Sequence, residues 1–179
     1  MEGEPEVAVL RLGHRPGRDE RMTTHVGLTS RALGADRVLF ATETDQPVET
    51  VADITGRFGG PFEAERVDGG ERIVREWDGR VAHLTMYGLP VQDAMADVRT
   101  THAGEPLLVV VGAEKVPFDV YEAADWNVAV TNQPHSEVAG LAVFLDRLFE
   151  GRELDREWRD AEQVVVPSET GKRVEPAGE

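Results

Sequence analysis

Cysteine and long apolar runs are both absent from this chain of 179 residues. Without cysteine there are no disulfides, thiolate metal sites or cysteine nucleophiles, so the fold depends on its apolar core. No apolar run approaches the ~20 residues of a membrane-spanning helix, and the N-terminus does not have the pattern of a signal peptide. The length suits one domain with at most a short appendage. We therefore expect a cytoplasmic protein that does not enter a membrane.

Lysine is scarce, because only Lys115 and Lys172 accompany 17 arginines, and the formal net charge is −15. An acidic, lysine-poor composition is typical of a protein that stays soluble at very high salt, so we expect a halophilic protein. The net charge argues against a nucleic-acid partner, since phosphate binding requires a cationic surface. Residues 11–37, which we call the basic segment, are the exception, with six arginines and three acids.

Several sequence motifs of known chemistry are missing. There is no GxGxxG opening a helix and no GxxxxGK[ST], which excludes the usual dinucleotide fingerprint and the P-loop. The five histidines lack an HExxH or any paired ligand spacing, so we expect no metal site. Ser136 lies in PHSEV and not in a GxSxG elbow, which argues against an α/β-hydrolase.

Strand-like and helix-like segments alternate along the chain, which predicts a parallel α/β sheet. The predicted strands cover 7–12, 37–42, 62–67, 81–86, 107–112 and 126–131. The predicted helices cover 18–34, 47–60, 90–102 and 136–151, the last with Ser136 as its N-cap, and a short helix precedes 126–131. Residues 68–79 are interpreted as a turn-rich connection, and 167–179 as a polar tail that frays.

Small polar residues follow three of the predicted strands, in HLTMYG, GAEKVP and TNQPHSE. In parallel sheets, ligands bind beyond the carboxyl ends of the strands. One interpretation is a pocket lined by backbone groups for a small polar ligand such as a nucleoside cofactor. The other is a pair of ordinary strand-to-helix connections that use Gly and Pro as turn residues.

Three segments together resemble a known superfamily: RLGHRPGRDERMTTHVGLTSRALGAD (11–36), VAHLTMYG (81–88) and the block 109–148. They resemble the SPOUT, or α/β-knot, superfamily of RNA methyltransferases that use S-adenosylmethionine. Within it the chain is similar to the archaeal family that methylates the ribose 2′-hydroxyl of cytidine 56 in tRNA. The resemblance extends from about residue 7 to 174, and GAEKVP followed by NQPHSEVA is its most specific part.

The resemblance implies an α/β fold, a Rossmann-like parallel sheet with a C-terminal trefoil knot. It also implies a homodimer, with S-adenosylmethionine held in the knot and the active site completed across the interface. We expect the methyltransferase domain to cover 1–151, followed by an appendage and polar tail over 152–179. The implied partner is tRNA; DNA and membranes are not expected.

The resemblance also implies roles for individual residues. In the superfamily's first motif, Asn-x-Gly-x-x-x-Arg, Arg31 matches the arginine and His25 replaces the asparagine, so these two are the catalytic candidates. The cofactor candidates are Leu84, Gly112, Ala113, Glu114, Lys115, Val116, Val130, Thr131, Asn132, Gln133, Pro134, His135, Ser136 and Glu137. The candidates for binding the tRNA backbone are His14, Arg15, Arg18 and Arg21.

Two other interpretations remain open from the sequence. A knotted methyltransferase could act on another RNA, at an rRNA ribose or a base. A module of this kind could also bind a nucleotide or RNA without chemistry. In the catalytic interpretation the protein mainly positions the reactants and removes the hydroxyl proton, because the cofactor's sulfonium is already electrophilic.

Overall fold

The computed structural model describes residues 4–13, 19–113 and 115–178. Six parallel strands form the central sheet: β1 (Val7–Leu12), β2 (Arg37–Phe40), β3 (Glu63–Arg66), β4 (Arg80–Pro90), β5 (Leu107–Gly112) and β6 (Trp126–Ala129). Six helices connect and follow them: α1 (Glu20–Ala32), α2 (Gln46–Phe58), α3 (Gly70–Glu76), α4 (Val91–His102), α5 (Phe118–Ala123) and α6 (Glu137–Phe149). A 3₁₀ turn (Arg152–Asp155) and a hairpin of β7 (Gln163–Val165) and β8 (Val174–Pro176) complete the described chain.

The strand order in the sheet is β3–β2–β1–β5–β4–β6. The central strands β1 and β5 pair from Val7 with Leu107 to Leu12 with Gly112. Every residue of β1 is buried, as expected for a strand covered on both faces. This explains the unbroken aliphatic runs in the sequence and confirms the predicted parallel α/β sheet.

Helices cover both faces of this sheet. On one face, α1, α4 and α6 contribute Val26, Val98 and Leu145 to the larger core cluster. On the other face, α3 and α5 contribute Val74 and Val120 to a smaller cluster. Within the described ranges, none of the helices combines the length and the apolarity needed to cross a membrane.

The structure corrects two predictions about local structure. Residues 68–79 contain helix α3, which packs Val74 into the smaller cluster and lays Gly70 against Leu12. The sequence did not predict this helix, because a segment of seven residues with two buried positions is too short to show the helical period of apolar residues. Residues 174–176 do not fray, because β8 pairs antiparallel with β7.

Some element boundaries also differ. Strand β4 continues to Pro90, whereas β6 ends at Ala129 rather than at residue 131. Ser136 is the N-cap residue of α6 by position, but its side chain makes no capping hydrogen bond. Its φ of −69° and ψ of 136° are extended, so the chain enters the helix from an extended loop.

The second half of β4 crosses the segment that follows β6. The pairing register of the two strands shifts between Leu84 and Leu89. A side chain at Gly88 would collide with the backbone of Asn127. The amide of Asn132 donates hydrogen bonds to the carbonyls of Met86 and Gly88, at 2.7 and 3.1 Å. These contacts hold the two loops together above the ends of β4 and β6.

The C-terminal segment packs on the end of α2. The amide of Gly60 donates to the carbonyl of Arg159 at 2.8 Å, and the amide of Glu162 donates to the carbonyl of Arg57 at 3.1 Å. Trp158 lies over the guanidinium of Arg31, 4.3 Å from the ring centroid. Residues 158–162 therefore pack against the ends of α1 and α2.

Candidate functional site

A cavity of about 1150 Å³ opens at the carboxyl ends of β4 and β5. Its wall comes from β4, the end of β5 and the loop that follows it, and the loop before α6. One residue of α1 and two residues each of α5 and α6 complete it. This is the edge of a parallel sheet at which ligands bind. The three polar segments selected from the sequence therefore meet in one cavity.

Ten of the fourteen cofactor candidates line this cavity: Leu84, Gly112, Ala113, Lys115, Val116, Val130, Pro134, His135, Ser136 and Glu137. Glu114 lies outside the described residues. Thr131, Asn132 and Gln133 do not line the cavity, and two of them hold the loop in shape instead. Asn132 binds the carbonyls of Met86 and Gly88, and the carbonyl of Gln133 lies 2.7 Å from Nδ1 of His135.

A close approach of α6 shapes one wall of the cavity. A Cβ atom at Gly140 would lie 2.9 Å from Nε2 of His135 and 3.2 Å from Cγ2 of Val130. Both contacts are shorter than a Cβ atom ordinarily makes, so a side chain at position 140 would displace His135 or Val130. The shape of the loop therefore depends on a residue that lies beyond the loop.

A buried polar group that the sequence reasoning missed forms the floor of the cavity. His83 is 1% exposed, and its Nδ1 lies 2.9 Å from Oδ1 of Asn127. Its ring packs edge-on against Tyr121 with centroids 4.5 Å apart. Burial lowers the pKa of His83, so the imidazole is neutral at pH 7. The only sequence signal was a histidine inside the apolar strand VAHLTM.

A second missed residue is Arg11, the one charged residue of β1. Its side chain is 1% exposed, and its Nε donates to Oγ1 of Thr23 at 2.9 Å. Its Nη1 lies 3.0 Å from Oε1 of Glu137, a cavity-lining residue at the start of α6. A buried ion pair thus joins β1, α1 and α6 beside the cavity.

The two catalytic candidates do not line the cavity. His25 is exposed, about one helical turn along α1 from Met22, which does line it. Arg31 is nine residues from Met22, or roughly 13 Å along the helix axis. Its Nη2 donates to the carbonyl of Gly59 at 2.5 Å, beneath the ring of Trp158. Within one chain, the first-motif arginine therefore lies at the opposite edge of the sheet from the cavity.

Of the candidates for RNA contact, only Arg21 lies within the described residues. It is exposed in the first turn of α1, next to the cavity-lining Met22. His14, Arg15 and Arg18 lie outside the described residues. The described part of the chain contains no group of three or more His, Cys, Asp or Glu residues that could hold a metal ion.

Comparisons with known proteins show which family this chain is similar to. A family model described as "tRNA ribose 2'-O-methyltransferase, aTrm56" matches residues 58–175. The chain is 70% identical over 174 residues to the tRNA (cytidine(56)-2′-O)-methyltransferase of Haloarcula marismortui, covering 97% of each protein. It is 69% identical over 179 residues to the protein of the same name from Natronomonas pharaonis, covering 100% of this chain and 99% of that protein.

Among solved structures, the fold resembles the SpoU methyltransferase AviRb from Streptomyces viridochromogenes, solved in complex with AdoMet. The TM-score is 0.57 at 17% identity, and the match covers 83% of this chain and 58% of that one. The likeness shows a shared SPOUT fold, and this chain spans less than two thirds of the solved one. The family match and the two highly identical relatives show that the chain belongs to the aTrm56 family of tRNA ribose 2′-O-methyltransferases.

Proposed function

We propose that this chain transfers the methyl group of S-adenosylmethionine to the ribose 2′-hydroxyl of cytidine 56 in tRNA. The observation that carries the proposal is the cavity at the carboxyl edge of the sheet, built from the segments that match the family. Relatives with 70% and 69% identity are named for this reaction, and they align with nearly the whole chain. Methylation at O2′ requires a ribose 2′-hydroxyl, which DNA lacks, so DNA is not a substrate for this reaction.

The cavity fits S-adenosylmethionine in size and in the chemistry of its lining. About 1150 Å³ is ample for a nucleoside with an amino-acid arm. The lining combines apolar side chains such as Leu84 and Val116 with main-chain groups at Gly112 and Ala113. AviRb, which shares the fold, was solved with AdoMet. We assign the cofactor to this cavity, recognised mainly through the main chain, with the methyl group supplied from its electrophilic sulfonium.

The protein's own contribution is to orient the ribose and to accept its proton. We place the approach of the tRNA on the α1 side of the cavity, where Arg21 is exposed beside Met22. His14, Arg15 and Arg18 belong to the same basic segment of the sequence, and we propose that they also bind the tRNA backbone. Phosphate contacts of this kind fix the position of the RNA, and base contacts provide the specificity.

The catalytic roles predicted for His25 and Arg31 remain predictions, because neither residue lines the cavity of its own chain. His25 lies on the exposed face of α1, from where it can contact RNA. Arg31 is 7% exposed and held by Gly59 and Trp158. Arg31 would reach a ribose bound at its own chain only after release from Trp158. Alternatively, the Arg31 of a second chain would reach it.

We also propose that the active form is a homodimer. Large apolar side chains are exposed at the mouth of the cavity, where Tyr87 and Phe118 are 75% and 73% exposed, and nearby Leu89 is 66% exposed. A cluster of this kind is typical of a surface that a partner covers. Light scattering after size-exclusion chromatography in molar KCl checks this, since a monomer at assay concentration would contradict it.

The composition supports a cytoplasmic enzyme that works at high salt. We propose further that residues 152–179 form an appendage to the methyltransferase domain of residues 1–151, because the described part of that appendage packs along the end of α2. Removal of residues 152–179 would uncover Arg31, so we expect it to lower the melting temperature more than it lowers cofactor affinity.

The direct test is incubation of the purified protein with an unmodified tRNA transcript and labelled S-adenosylmethionine in molar KCl. We expect 2′-O-methylcytidine as the labelled nucleoside, mapped to position 56. Label in an rRNA fragment but not in tRNA would favour the other methyltransferase interpretation. Cofactor binding without transfer to any RNA would favour a non-catalytic module.

A further inference from the structure

We propose that Asn127 is a positioning residue of the cofactor cavity, which holds His83 as a neutral imidazole with its proton on Nδ1. The cavity floor then carries no positive charge, as a cofactor with a cationic sulfonium requires. The proposal rests on the proposed function and adds how the cavity favours S-adenosylmethionine over S-adenosylhomocysteine, the product that lacks this charge. Asn127 does not line the cavity, so its effect passes through residues that do.

The main chain of α5 fixes the orientation of the Asn127 amide. Nδ2 of Asn127 donates to the carbonyl of Tyr121 at 2.9 Å, and a carbonyl only accepts. An amide turned by 180° would bring two oxygens together there, so Oδ1 is the atom that lies 2.9 Å from Nδ1 of His83. Because Oδ1 also only accepts, Nδ1 of His83 must carry a hydrogen. The tautomer of His83 therefore follows from a main-chain carbonyl.

The surroundings of His83 disfavour a second proton on its ring. His83 is 1% exposed, and in β4 it pairs with Val110 of β5 and Asn127 of β6. The ring contacts the Asn127 amide and, edge-on, the ring of Tyr121, and neither offers a negative charge to an imidazolium. Burial lowers the pKa of His83, and the hydrogen bond to Asn127 opposes this with a smaller effect. His83 therefore carries a single proton at pH 7.

The charged groups near this floor would not balance a histidinium. Strand β5 contributes only aliphatic side chains and Gly112. The ion pairs in or beside the elements that pack against His83 are Asp119 with Arg75 and Asp125 with Arg80, both at 2.9 Å. The other described titratable side chains of α5 and the cavity wall are Tyr87, Lys115, Tyr121, Glu122, His135 and Glu137. Glu137 is paired with Arg11 at 3.0 Å, so a second proton on His83 would add to the positive charge of Lys115.

A positive charge on the floor would act on the cofactor more than on its product. The sulfonium of S-adenosylmethionine is a cation, whereas the thioether of S-adenosylhomocysteine is neutral, and the two molecules share their other charged groups. Charges interact more strongly inside a protein cavity than in water. We expect protonation of His83 to weaken S-adenosylmethionine binding by about 10-fold relative to S-adenosylhomocysteine.

The same amide also holds one wall of the cavity. Tyr121 lines the cavity, and its hydroxyl lies 3.1 Å from Oγ1 of Thr85 while its carbonyl binds Asn127. Helix α5 has only six residues, and so short a helix is not stable alone, so its position depends on such contacts. Asn127 therefore positions two lining residues, one on β4 and one on α5.

The first test is long-range ¹H–¹⁵N NMR of the ligand-free protein at pH 7, in which the His83 signals are those absent from His83→Asn. We expect the pattern of a neutral ring protonated at Nδ1. A folded Asn127→Leu should lose this uniform tautomer, and Gln46→Leu, which removes an exposed amide that bonds Thr50 on α2, should keep it. An imidazolium or a ring protonated at Nε2 in the wild type would overturn the proposal, as would a wild-type tautomer in Asn127→Leu.

The second test is calorimetry with S-adenosylmethionine and S-adenosylhomocysteine between pH 5 and pH 7, on wild type and His83→Asn. Asparagine keeps a donor for Oδ1 of Asn127 and takes no charge. Relative to His83→Asn, the wild-type ratio of the two affinities should stay level while NMR shows His83 neutral. It should fall about 10-fold where His83 becomes protonated. Titration of His135 is common to both proteins and cancels in this comparison.

Two calorimetric results would overturn the proposal. One is a wild-type ratio that changes relative to His83→Asn while His83 stays neutral, and the other is a ratio that stays level after His83 is protonated. Absence of binding of either molecule to the wild-type protein would instead overturn the proposed function. The NMR result is independent of that outcome, because it needs neither cofactor nor RNA.

Discussion

Arg31 and Trp158 form the clearest single contact outside the cavity. Burial and the nearby charge of Arg156 both lower the pKa of Arg31, which nevertheless remains charged. Its carbonyl partner Gly59 has a φ of 77°, so the chain reverses at the point that Arg31 binds. The guanidinium thus links the end of α1, the turn after α2 and the C-terminal segment.

This geometry predicts that Arg31→Ala and Trp158→Ala act alike. Each removes the stacked pair, worth about 1–2 kcal/mol when desolvated, and should lower the melting temperature by several degrees. At a temperature where both are folded, we expect single-turnover rates within a few-fold of wild type. The sequence motif predicts a different result, in which Arg31→Ala is folded but methylates more slowly by orders of magnitude. If Trp158→Ala kept the wild-type rate in the same assay, Arg31 would belong to the active site.

Two buried titratable groups, His102 and Glu153, make the free energy of unfolding depend on pH in opposite directions. Burial lowers the pKa of His102 below its usual 6.5, so the unfolded chain binds the proton more strongly. Stability from this group is therefore present above pH 6.5 and is lost as the pH falls below it. Burial raises the pKa of Glu153, so its contribution is present below pH 4.5 and is lost as the pH rises through the higher folded value.

Glu153→Gln should consequently raise the melting temperature at pH 7.5. Glu153 is 1% exposed, and burial is the largest influence that raises the pKa of its carboxyl group. The amide keeps the size of the side chain and removes the cost of ionisation, so we expect a gain of a few degrees. Melting curves at pH 7.5 and pH 5 check this, since the gain should shrink at the lower pH. An equal effect at both values would contradict the assignment.

At the scale of elements, the crossing of β4 with the segment after β6 is the feature that shapes the cavity. Gly88 lies so close to the backbone of Asn127 that no side chain fits there. Gly88→Ala should therefore separate the two loops and reduce S-adenosylmethionine affinity by at least 10-fold, or prevent folding. Calorimetry and circular dichroism measure the two effects.

Gly56→Ala is the matched control for that substitution. Gly56 lies within α2, where an added Cβ meets no atom within 4 Å. Alanine favours a helix over glycine by about 1 kcal/mol, so this variant should be slightly more stable than wild type and bind the cofactor equally well. Equal affinity in Gly88→Ala and Gly56→Ala would show that the crossing does not shape the cavity.

Strands buried on both faces were predictable from the sequence. Short elements, and contacts between residues far apart in the sequence, were not. The strands 7–12 and 107–112 agree with β1 and β5, because aliphatic runs of this kind fit only a covered parallel strand. Helix α3 was missed because only Gly70 and Val74 of its seven residues are fully buried, which is too few to show a helical pattern. The pair of Arg11 and Glu137 could not be predicted either, because a contact between residues so far apart in sequence depends on the packing of α6 against α1.

The protein as a whole has a strongly negative net charge, although its substrate, tRNA, is also negatively charged. The basic segment carries a net charge of +3, which leaves −18 for the rest of the chain. At molar salt the Debye length shrinks to about 3 Å, so the diffuse repulsion of RNA by those acids disappears. Contacts between arginine and phosphate act at short range and lose less.

We therefore expect tRNA affinity to fall less with salt than the six arginines of the basic segment would suggest, since Arg11 and Arg31 are buried. The affinity can even rise between low and molar KCl. Arg21→Ala should weaken binding and reduce the slope of log K against log salt by about 0.9, the loss of one phosphate contact. Arg72→Ala, an exposed arginine paired with Glu76 on α3, is the control and should change neither quantity. A steep, monotonic loss of affinity in folded wild-type protein would contradict this account.

The most direct measurement of the central claim compares two tRNAs that differ by one oxygen atom. One carries cytidine at position 56 and the other carries 2′-deoxycytidine there, and each is incubated with labelled S-adenosylmethionine and the wild-type protein in molar KCl. The account predicts one methyl group per tRNA for the first substrate and none for the second, with both bound equally well. Equal labelling of the two tRNAs would show that the methyl group goes elsewhere and would contradict the assignment of cytidine 56.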